Sequence, residues 1–381
     1  METGFLRPLL DHHGPWASVY LDTSRETADA AKLQQLRVRA VAESLLAQGA
    51  DDRTRQAVLD RLTEEAVSRA PAGRAVFAAH GEVVLDLPLD VSPTAVETAW
   101  SALPHIAPLV GLLDDDPLCL VAYVDRGGAD LELRHPRGNR SLGSVDGRDF
   151  QARGHRTVPA DRAEWHYRNR VEEQRKRVAG QVDGELARRF AQSGAELLVL
   201  CGDPKDQRAV HQRLPEPLRA ATIQVDGGSR GAGASKRLLD QEIIAACEQY
   251  TGQRLTEALS RFHAGRGRPG EHGALGPDSA PGGAAEGVPA VVDAARSRQV
   301  AALLLAEQGA YGRQPVWVGP EPDQVAVQRG QVRAMGVPDP VSVPAGDALL
   351  RCAAAADAEV LLVPDGVPGP AGGLGAVLRW S

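Results

Sequence analysis

The sequence predicts an α/β protein: an α+β N-terminal domain followed by two α/β sandwich domains. Three observations carry this expectation. Apolar runs of strand length alternate with amphipathic stretches of helix length. Turn signals separate them, clearest at His80-Gly81 and Arg126-Gly127-Gly128. Residues 264–287 hold eight Gly and three Pro without apolar periodicity, so they cannot build a core and read as a linker. A second junction falls at Asp114-Asp115-Asp116, a helix-end or linker charge cluster rather than a metal site. The expected domains are therefore 1–116, 117–263 and 288–381, joined at the C-terminal end by the 264–287 linker. The 381 residues are 43% hydrophobic but only 4% aromatic, so the cores should be aliphatic.

Within the first domain, Ala17–Leu21 reads as a strand. The spacing predicts a helix over 28–47, with Leu33, Leu36, Ala40, Val41 and Leu45 toward the core and Lys32, Gln35, Arg39 and Glu43 opposite. A second helix is expected over 54–68, then a hairpin of strands 74–79 and 83–87. The second domain opens with strands 118–124 and 130–134, followed by a basic loop and a long helix from about 162 to 192. A buried strand at 196–201, a strand at 221–225, a glycine loop and a helix over 236–249 complete it. The last domain reads as helix 290–299, strands 301–305 and 315–318, helix 323–335, strand 340–343, helix 347–356, and strands 359–363 and 375–380.

Composition excludes several classes. Cys119, Cys201, Cys247 and Cys352 are scattered singly with no CxxC pair, which fits a reducing, cytoplasmic setting without disulfides or a zinc site. No stretch reaches the roughly 20 apolar residues of a membrane span, and the N-terminus is too polar for a secretory signal. His12-His13 points two side chains apart and reads as surface. No metal, cofactor, membrane or DNA partner is expected.

Charge is the informative property. Residues 134–189 hold fourteen Arg or Lys against eight Asp or Glu, about +6, while the whole chain carries −7 and the remainder therefore about −13. A cationic segment on an otherwise repelling body fits a polyanion partner. Phe150, His155, Trp165, His166 and Tyr167 are interleaved with the arginines. Arginine neutralises phosphates and aromatic rings stack on unpaired bases, so the mixture suits RNA. A solvated loop and helix face in an arginine-favouring genome is the plain alternative.

The order of the pieces resembles the archaeo-eukaryotic peptide-chain release factor family, in its bacterial branch, which includes ribosome-hibernation factors related to the release factor and to Pelota. CLVAYVDRGGADLELRHPRGN is similar to the strand-turn-strand that opens the release factor's central domain. HYRNRVEEQRKRVAGQVDGELARRF is similar to its Arg-rich helix. ELLVLCGDPKDQRAVHQRL looks like its buried strand, VDGGSRGAGASKRLLDQEI like the glycine turn before its last helix. DALLRCAAAADAEVLLVP and GPAGGLGAVLRW resemble the end of the ribosomal-protein-like C-terminal domain. The resemblance implies a three-domain, tRNA-mimicking architecture.

Two departures shape the functional expectation. Peptide-releasing members carry Gly-Gly-Gln before the Arg-rich helix; here Gly-Gly occurs at 127–128, 227–228, 282–283 and 372–373, never followed by Gln. Nothing like the codon-reading Asn-Ile-Lys-Ser occurs near Leu33–Arg39. The resemblance then implies a non-catalytic factor that occupies the A site of idle or stalled 70S ribosomes, with elongation factor Tu as a plausible delivery partner. Arg153, His155, Arg156, Arg162, Arg168 and Arg170 would neutralise rRNA phosphates near the peptidyl-transferase centre. Trp165, His166 and Tyr167 would stack on splayed bases or pack the loop on its own domain. Lys32, Arg37 and Arg39 are candidates for the decoding side, or form an ordinary solvated face.

Two alternatives stay open. A rescue factor would hydrolyse peptidyl-tRNA with Gln151 or His155 in place of Gly-Gly-Gln. A serine hydrolase would use Ser229 in Gly227-Gly228-Ser229-Arg230-Gly231, which has the G-x-S-x-G spacing of a nucleophile elbow. Against the elbow, GAGA intervenes before the helix, and the later histidines, His263 and His272, lie at or inside the linker.

Overall fold

The computed structural model describes residues 3–23, 30–64, 72–113, 116–135, 138–146, 180–226, 236–266, 283–306 and 309–380. It divides into two compact units: residues 1–114 with 255–381, and residues 115–254.

The chain begins with strand β1 (Trp16–Asp22), helix α1 (Ala30–Ala47) and helix α2 (Asp52–Thr63). Strands β2 (Gly73–Ala79), β3 (Glu82–Leu89) and β4 (Glu97–Ser101) complete an antiparallel sheet ordered β3-β2-β1-β4. Asp51 caps α2 by accepting from the Thr54 amide at 2.9 Å, and the Thr54 hydroxyl accepts from the Gly81 amide at 2.9 Å, fixing the hairpin turn to the helix. That turn has positive φ at both His80 (52°) and Gly81 (85°), the geometry a two-residue hairpin needs. β1 is apolar on both faces because both are buried. Ala17, Val19 and Leu21 pack with Val41, Leu45, Val58 and Leu62 of the two helices, while Trp16 and Tyr20 enter a second core.

The expected core stripe of α1 holds only in part. Val41 and Leu45 are fully buried, but Leu33 is 41% and Leu36 55% exposed, and Ala40 is exposed as well. The helix packs from Val38 onward, so its first turns carry apolar periodicity without a sheet beneath it. Strand β4 was not expected: ETAWS is half polar and none of it is fully buried, so it lacks an apolar run.

The second unit is one five-stranded sheet ordered β7-β6-β5-β8-β9, from β5 (Cys119–Asp125), β6 (Gly128–His135), β7 (Gly138–Asp146), β8 (Leu197–Gly202) and β9 (Thr222–Asp226). β5, β6 and β7 are antiparallel, and β8 and β9 continue parallel to β5. Helix α3 (180–193) covers one face with Val182 and Leu186, joined by residues of α4 (Pro204–His211) and α5 (Glu216–Ala220). Helix α6 (Lys236–Arg266) covers the other with Leu239, Ile243, Ala246 and Cys247. Covered on both sides, Leu197–Cys201 are wholly buried, as their unbroken apolar run implies. α6 is longer than the helix expected over 236–249: its last turns, through Leu255, Ala258, Leu259 and Phe262, pack in a core of the first unit.

The C-terminal section begins at β10 (Ala284–Glu286), α7 (Gly287–Arg296) and β11 (Val300–Ala306). Strands β12 (Pro315–Val318) and β13 (Val325–Ala326) follow, then α8 (Arg329–Ala334), β14 (Val341–Pro344), α9 (Ala345–Ala355), β15 (Glu359–Val363) and β16 (Leu374–Leu378). Two sheets form, β10-β16-β11-β15 and β13-β12-β14. The helix expected over 323–335 is in fact β13 and the short α8, because Val325 and Ala326 pair with β12. Much of the 264–287 stretch lies outside the described residues.

The first and last sections of the chain share a core. Trp16, Tyr20, Phe77, Leu103 and Ile106 belong to the same buried cluster as Val291, Leu303, Ala348 and Leu349. At its edge Asp347, only 4% exposed, accepts from the Ile106 and Ala107 amides at 2.8 and 2.9 Å and from His105 Nδ1 at 2.8 Å. His105 Nε2 lies 3.1 Å from Glu97. Burial disfavours the imidazolium, but the hydrogen bonds to Asp347 and Glu97 outweigh it and raise the His105 pKa to about 10.

Two predictions follow from this packing. Gly202, at φ 142°, closes β8 where a Cβ would sit 2.1 Å from the Val124 carbonyl oxygen, so Gly202→Ala should destabilise the central unit by at least about 2 kcal/mol in denaturant unfolding. His105 is raised from an unfolded value of about 6.5, so its contribution is complete below that pH and fades as pH climbs through about 10. His105→Gln should therefore lose stability against wild type near pH 6 and approach it above pH 10, followed by tryptophan fluorescence; a gap independent of pH would contradict this assignment.

Candidate nucleic-acid interface

Every residue expected to meet rRNA in the second domain, namely Arg153, His155, Arg156, Arg162, Trp165, His166, Arg168 and Arg170, lies in 147–179, outside the described residues. So do Tyr167 and Gln151, and Ser229 in 227–235. The two elements that flank the basic stretch are described. β7 leads into it and α3 leads out, and the two are tied together: Arg189 of α3 donates to the Leu142 carbonyl of β7 at 2.6 Å.

The cations at the two ends of the stretch are largely consumed by the fold. Arg134, 12% exposed, donates to Asp240 at 2.6 Å and to the Tyr123 hydroxyl at 2.6 Å, and that hydroxyl donates to Glu132 at 2.9 Å. Burial, with the nearby Glu132 carboxylate, raises the Tyr123 pKa despite Arg134, so the phenol stays protonated. Arg189 pairs with Glu185 at 2.7 Å, and Arg188 pairs with the same carboxylate. Glu185 is held below the ordinary carboxylate range first by its bond to Arg188. Arg140, on β7, is exposed. Of the four described cations in the stretch, three are structural, a distinction that charge counting does not make.

On α1 the three decoding-side candidates separate. Lys32 is exposed; Arg39 is exposed and bridges Glu43 at 2.9 Å one turn on. Arg37 is half-buried and holds Asp22 at the end of β1, through both the Asp22 carboxylate and its carbonyl oxygen, the latter at 3.0 Å. Its partner is fifteen residues away, and no local pattern signals it. Arg37 thus fastens the helix to the sheet, while Lys32 and Arg39 face solvent.

Among the described residues, the other candidate positions are occupied by contacts of the fold. No group of three metal-ligating side chains exists among the described residues, and no described helix is long and apolar enough to cross a membrane. A cavity of about 170 Å³ in the first unit is lined by His12, His13, Trp16, Asp339 and Arg351 among others. Arg351 is buried there but already donates to the carbonyls of Gly319, Pro320 and Glu321. His12 and His13 are exposed; His12 Nδ1 lies 3.0 Å from the Pro8 carbonyl, and the His13 carbonyl meets His80.

Comparison with known proteins places the central unit. The chain is 28% identical over 395 aligned positions to an uncharacterised protein of Mycobacterium tuberculosis, covering all of this chain and 97% of that one. Among solved structures it is similar to archaeal Pelota in a model of Pelota and ABCE1 bound to the ribosome (15% identity, 99% of this chain and 94% of that one, TM-score 0.41). It is likewise similar to the Archaeoglobus fulgidus Pelota (12% identity, 81% and 80%, TM-score 0.30) and to an archaeal translation termination factor (16% identity, 100% and 99%, TM-score 0.24). The family model of bacterial archaeo-eukaryotic release factor family 2 matches residues 118–268, from the first strand of the central sheet to just past the end of α6. Over that region, which contains the whole basic stretch and its two anchoring elements, this chain is similar to bacterial archaeo-eukaryotic release factor family 2.

Proposed function

We propose that this protein is a non-catalytic ribosome-binding factor, working in the cytoplasm, that occupies the A site of idle or stalled 70S ribosomes. The observation that carries the reading is the coincidence of three properties in residues 118–268. The region matches a release-factor family, holds the chain's concentrated positive charge, and has no Gly-Gly-Gln. A glycine pair gives a loop the backbone freedom to approach a reacting ester. Without it, the region retains cations for phosphates and aromatic faces for bases but no evident group to activate water. Binding without hydrolysis is the activity this chemistry supports best.

In this reading Arg153, Arg156, Arg162, Arg168 and Arg170 neutralise rRNA phosphates, with His155, Trp165 and His166 beside them. Lys32 and Arg39, free of any role in holding α1 to its sheet, reach the small-subunit side, and Arg37 positions the helix that carries them. The remaining acidic surface repels RNA and so confines contact to the basic segment. Elongation factor Tu is the proposed delivery partner.

The test is sedimentation of the full chain with vacant 70S ribosomes and with separate 30S and 50S subunits, with and without elongation factor Tu. Release of a labelled peptidyl-tRNA is assayed in parallel. Co-sedimentation without release is expected. Replacing Arg153, Arg156 and Arg162 together by Gln should weaken binding roughly tenfold or more and flatten the slope of log affinity against log salt by about two to three. Arg188→Gln, at an exposed cation already paired with Glu185, should change affinity less than about twofold, since an exposed ion pair contributes little. Peptide release would instead assign a rescue role, with Gln151 or His155 as the group to mutate next; no ribosome binding at moderate salt would overturn both.

A further inference from the structure

We propose that Cys119 and Cys247 form an oxidation site of the central unit, at which a hydroperoxide converts two adjacent thiols to an intramolecular disulfide. Cys119 begins β5 and Cys247 lies on α6, 128 residues later, yet their Sγ atoms are 3.1 Å apart. A disulfide bond is about 2.05 Å long, so closure needs a sulfur displacement of roughly 1 Å, within reach of small side-chain rotations. Both side chains sit in the core made by β5, β8 and α6. Val121, Val199 and Ile243 share that core with them, and the Cys119 thiol also lies 3.3 Å from the Pro117 carbonyl.

The chemistry follows from burial. Cys247 is 7% exposed and Cys119 1%, so the peroxide meets Cys247 first. Its sulfur attacks the distal peroxide oxygen, the O–O bond breaks, and an alcohol, or water from hydrogen peroxide, departs with the transferred proton. The Cys247 sulfenic acid is then attacked by the Cys119 sulfur. The S–O bond breaks, the S–S bond forms, and water leaves carrying the second thiol proton. In sum two thiols and one hydroperoxide give one disulfide, one alcohol and one water; the sulfurs lose two electrons and the O–O bond gains them. Burial of Cys247 restricts the peroxide's access to its sulfur and makes the first step slow, while the hydrogen bond to Cys247 and burial both raise the Cys119 pKa and keep that partner a thiol. The second step is fast, because the partner is already in contact. The site therefore records sustained oxidant exposure rather than a brief pulse, and its product staples the first strand of the sheet to the helix covering one face.

The two remaining cysteines are internal controls. Cys201 lies in β8 in the same core, and burial pushes its thiol up to about 12; Cys352 lies in the other unit, its Sγ 3.0 Å from the Pro322 carbonyl, and burial likewise raises it to about 12. No sulfur partner accompanies either of them among the described residues.

The test exposes the full-length protein to millimolar hydrogen peroxide over hours, denatures it with an alkylating agent present, and maps its peptides without reductant. The expected result is a Cys119–Cys247 crosslink that dithiothreitol reverses, with Cys201 and Cys352 recovered alkylated. The crosslinked protein should also melt at a temperature higher by about 5 °C or more, since the bond closes a loop of more than 100 residues. Cys247→Ala should abolish the crosslink; Cys119→Ala serves the same purpose if the first variant does not fold. Full alkylation of all four thiols in protein still folded by circular dichroism, or crosslinks running through Cys201 or Cys352 instead, would overturn the assignment.

Discussion

One buried carboxylate orders the polar edge of the core shared by the first and last sections of this chain. Asp347, in the first turn of α9, receives the amides of Ile106 and Ala107 and the ring nitrogen of His105, three donors from consecutive residues some 240 positions earlier. A buried carboxylate left without such partners would be strongly destabilising, commonly by about 3–5 kcal/mol when one member of a buried pair is removed. With them, it fixes residues 105–107 in one conformation, and that loop in turn connects to β1: the Ser18 hydroxyl accepts from the His105 amide, and the Tyr20 hydroxyl donates to the His105 carbonyl at 2.5 Å. Tyr20 is fully buried, and its pKa is raised first by desolvation, so its phenol remains a donor. The common core of Trp16, Phe77, Val291 and Leu349 forms around this network. The chain leaves that compact unit at residue 114 and rejoins it at residue 255, so the family-matched region forms a unit of its own up to residue 254, and the α6 turns from Leu255 onward belong to the first unit's cores.

Much of this fold was legible because its strands are buried on two sides. A run such as LLVLC cannot be anything but interior, and β1, β5, β8, β11 and β15 all announce themselves by apolar runs with turn residues nearby. What escaped reading shares a physical cause, namely dependence on a partner that local sequence does not show. β7, GNRSLGSVD, sits at a sheet edge and is held by backbone pairing to β6; its mixture of Arg, Ser, Asn and Gly carries no apolar alternation. α8 is short because Val325 and Ala326 find a strand to pair with, although their spacing also suits a helix. α6 is the most instructive case. Its first half buries Leu239, Ile243, Ala246 and Cys247, and its second half buries Leu255, Ala258, Leu259 and Phe262 in a different core. Each half is amphipathic, but the polar interval around Gly252 reads as an end when only one sheet is imagined.

The candidate interface shows the same limit in electrostatic form. A sequence gives the number of cations in a segment but not their counterions. Arg134, Arg188 and Arg189 enlarge the count of positive charge between 134 and 189, yet each is spent on a carboxylate within the fold. Arg37 lies in the same helical segment as Lys32 and Arg39 and differs from them only in having Asp22 within reach. Paired cations at the ends of the segment are what a scaffold requires, since an arginine holding β7 to α3 cannot also be given to a phosphate without loosening its own anchor. The interior of the segment, residues 147–179, holds nine further Arg or Lys against five Asp or Glu.

Glycine usage bears on the same question from the side of chemistry. Gly127 and Gly128 turn the β5–β6 hairpin, and both amides donate to the Asp125 carboxylate, at 2.7 and 3.0 Å. Gly372 and Gly373 both have positive φ, 72° and 82°, and a Cβ on Gly373 would meet the Gly309 Cα at 2.9 Å. These two doubled glycines are thus committed to turns and close backbone approach, the ordinary reasons for glycine. Gly202 serves a close approach of its own at the end of β8. A glycine pair kept for catalysis would have to stand apart from such duties, in the loop before the Arg-rich stretch, where this sequence has only the isolated Gly147 and Gly154. Among the described residues, the doubled glycines thus spend their backbone freedom on turns and close approach within the fold.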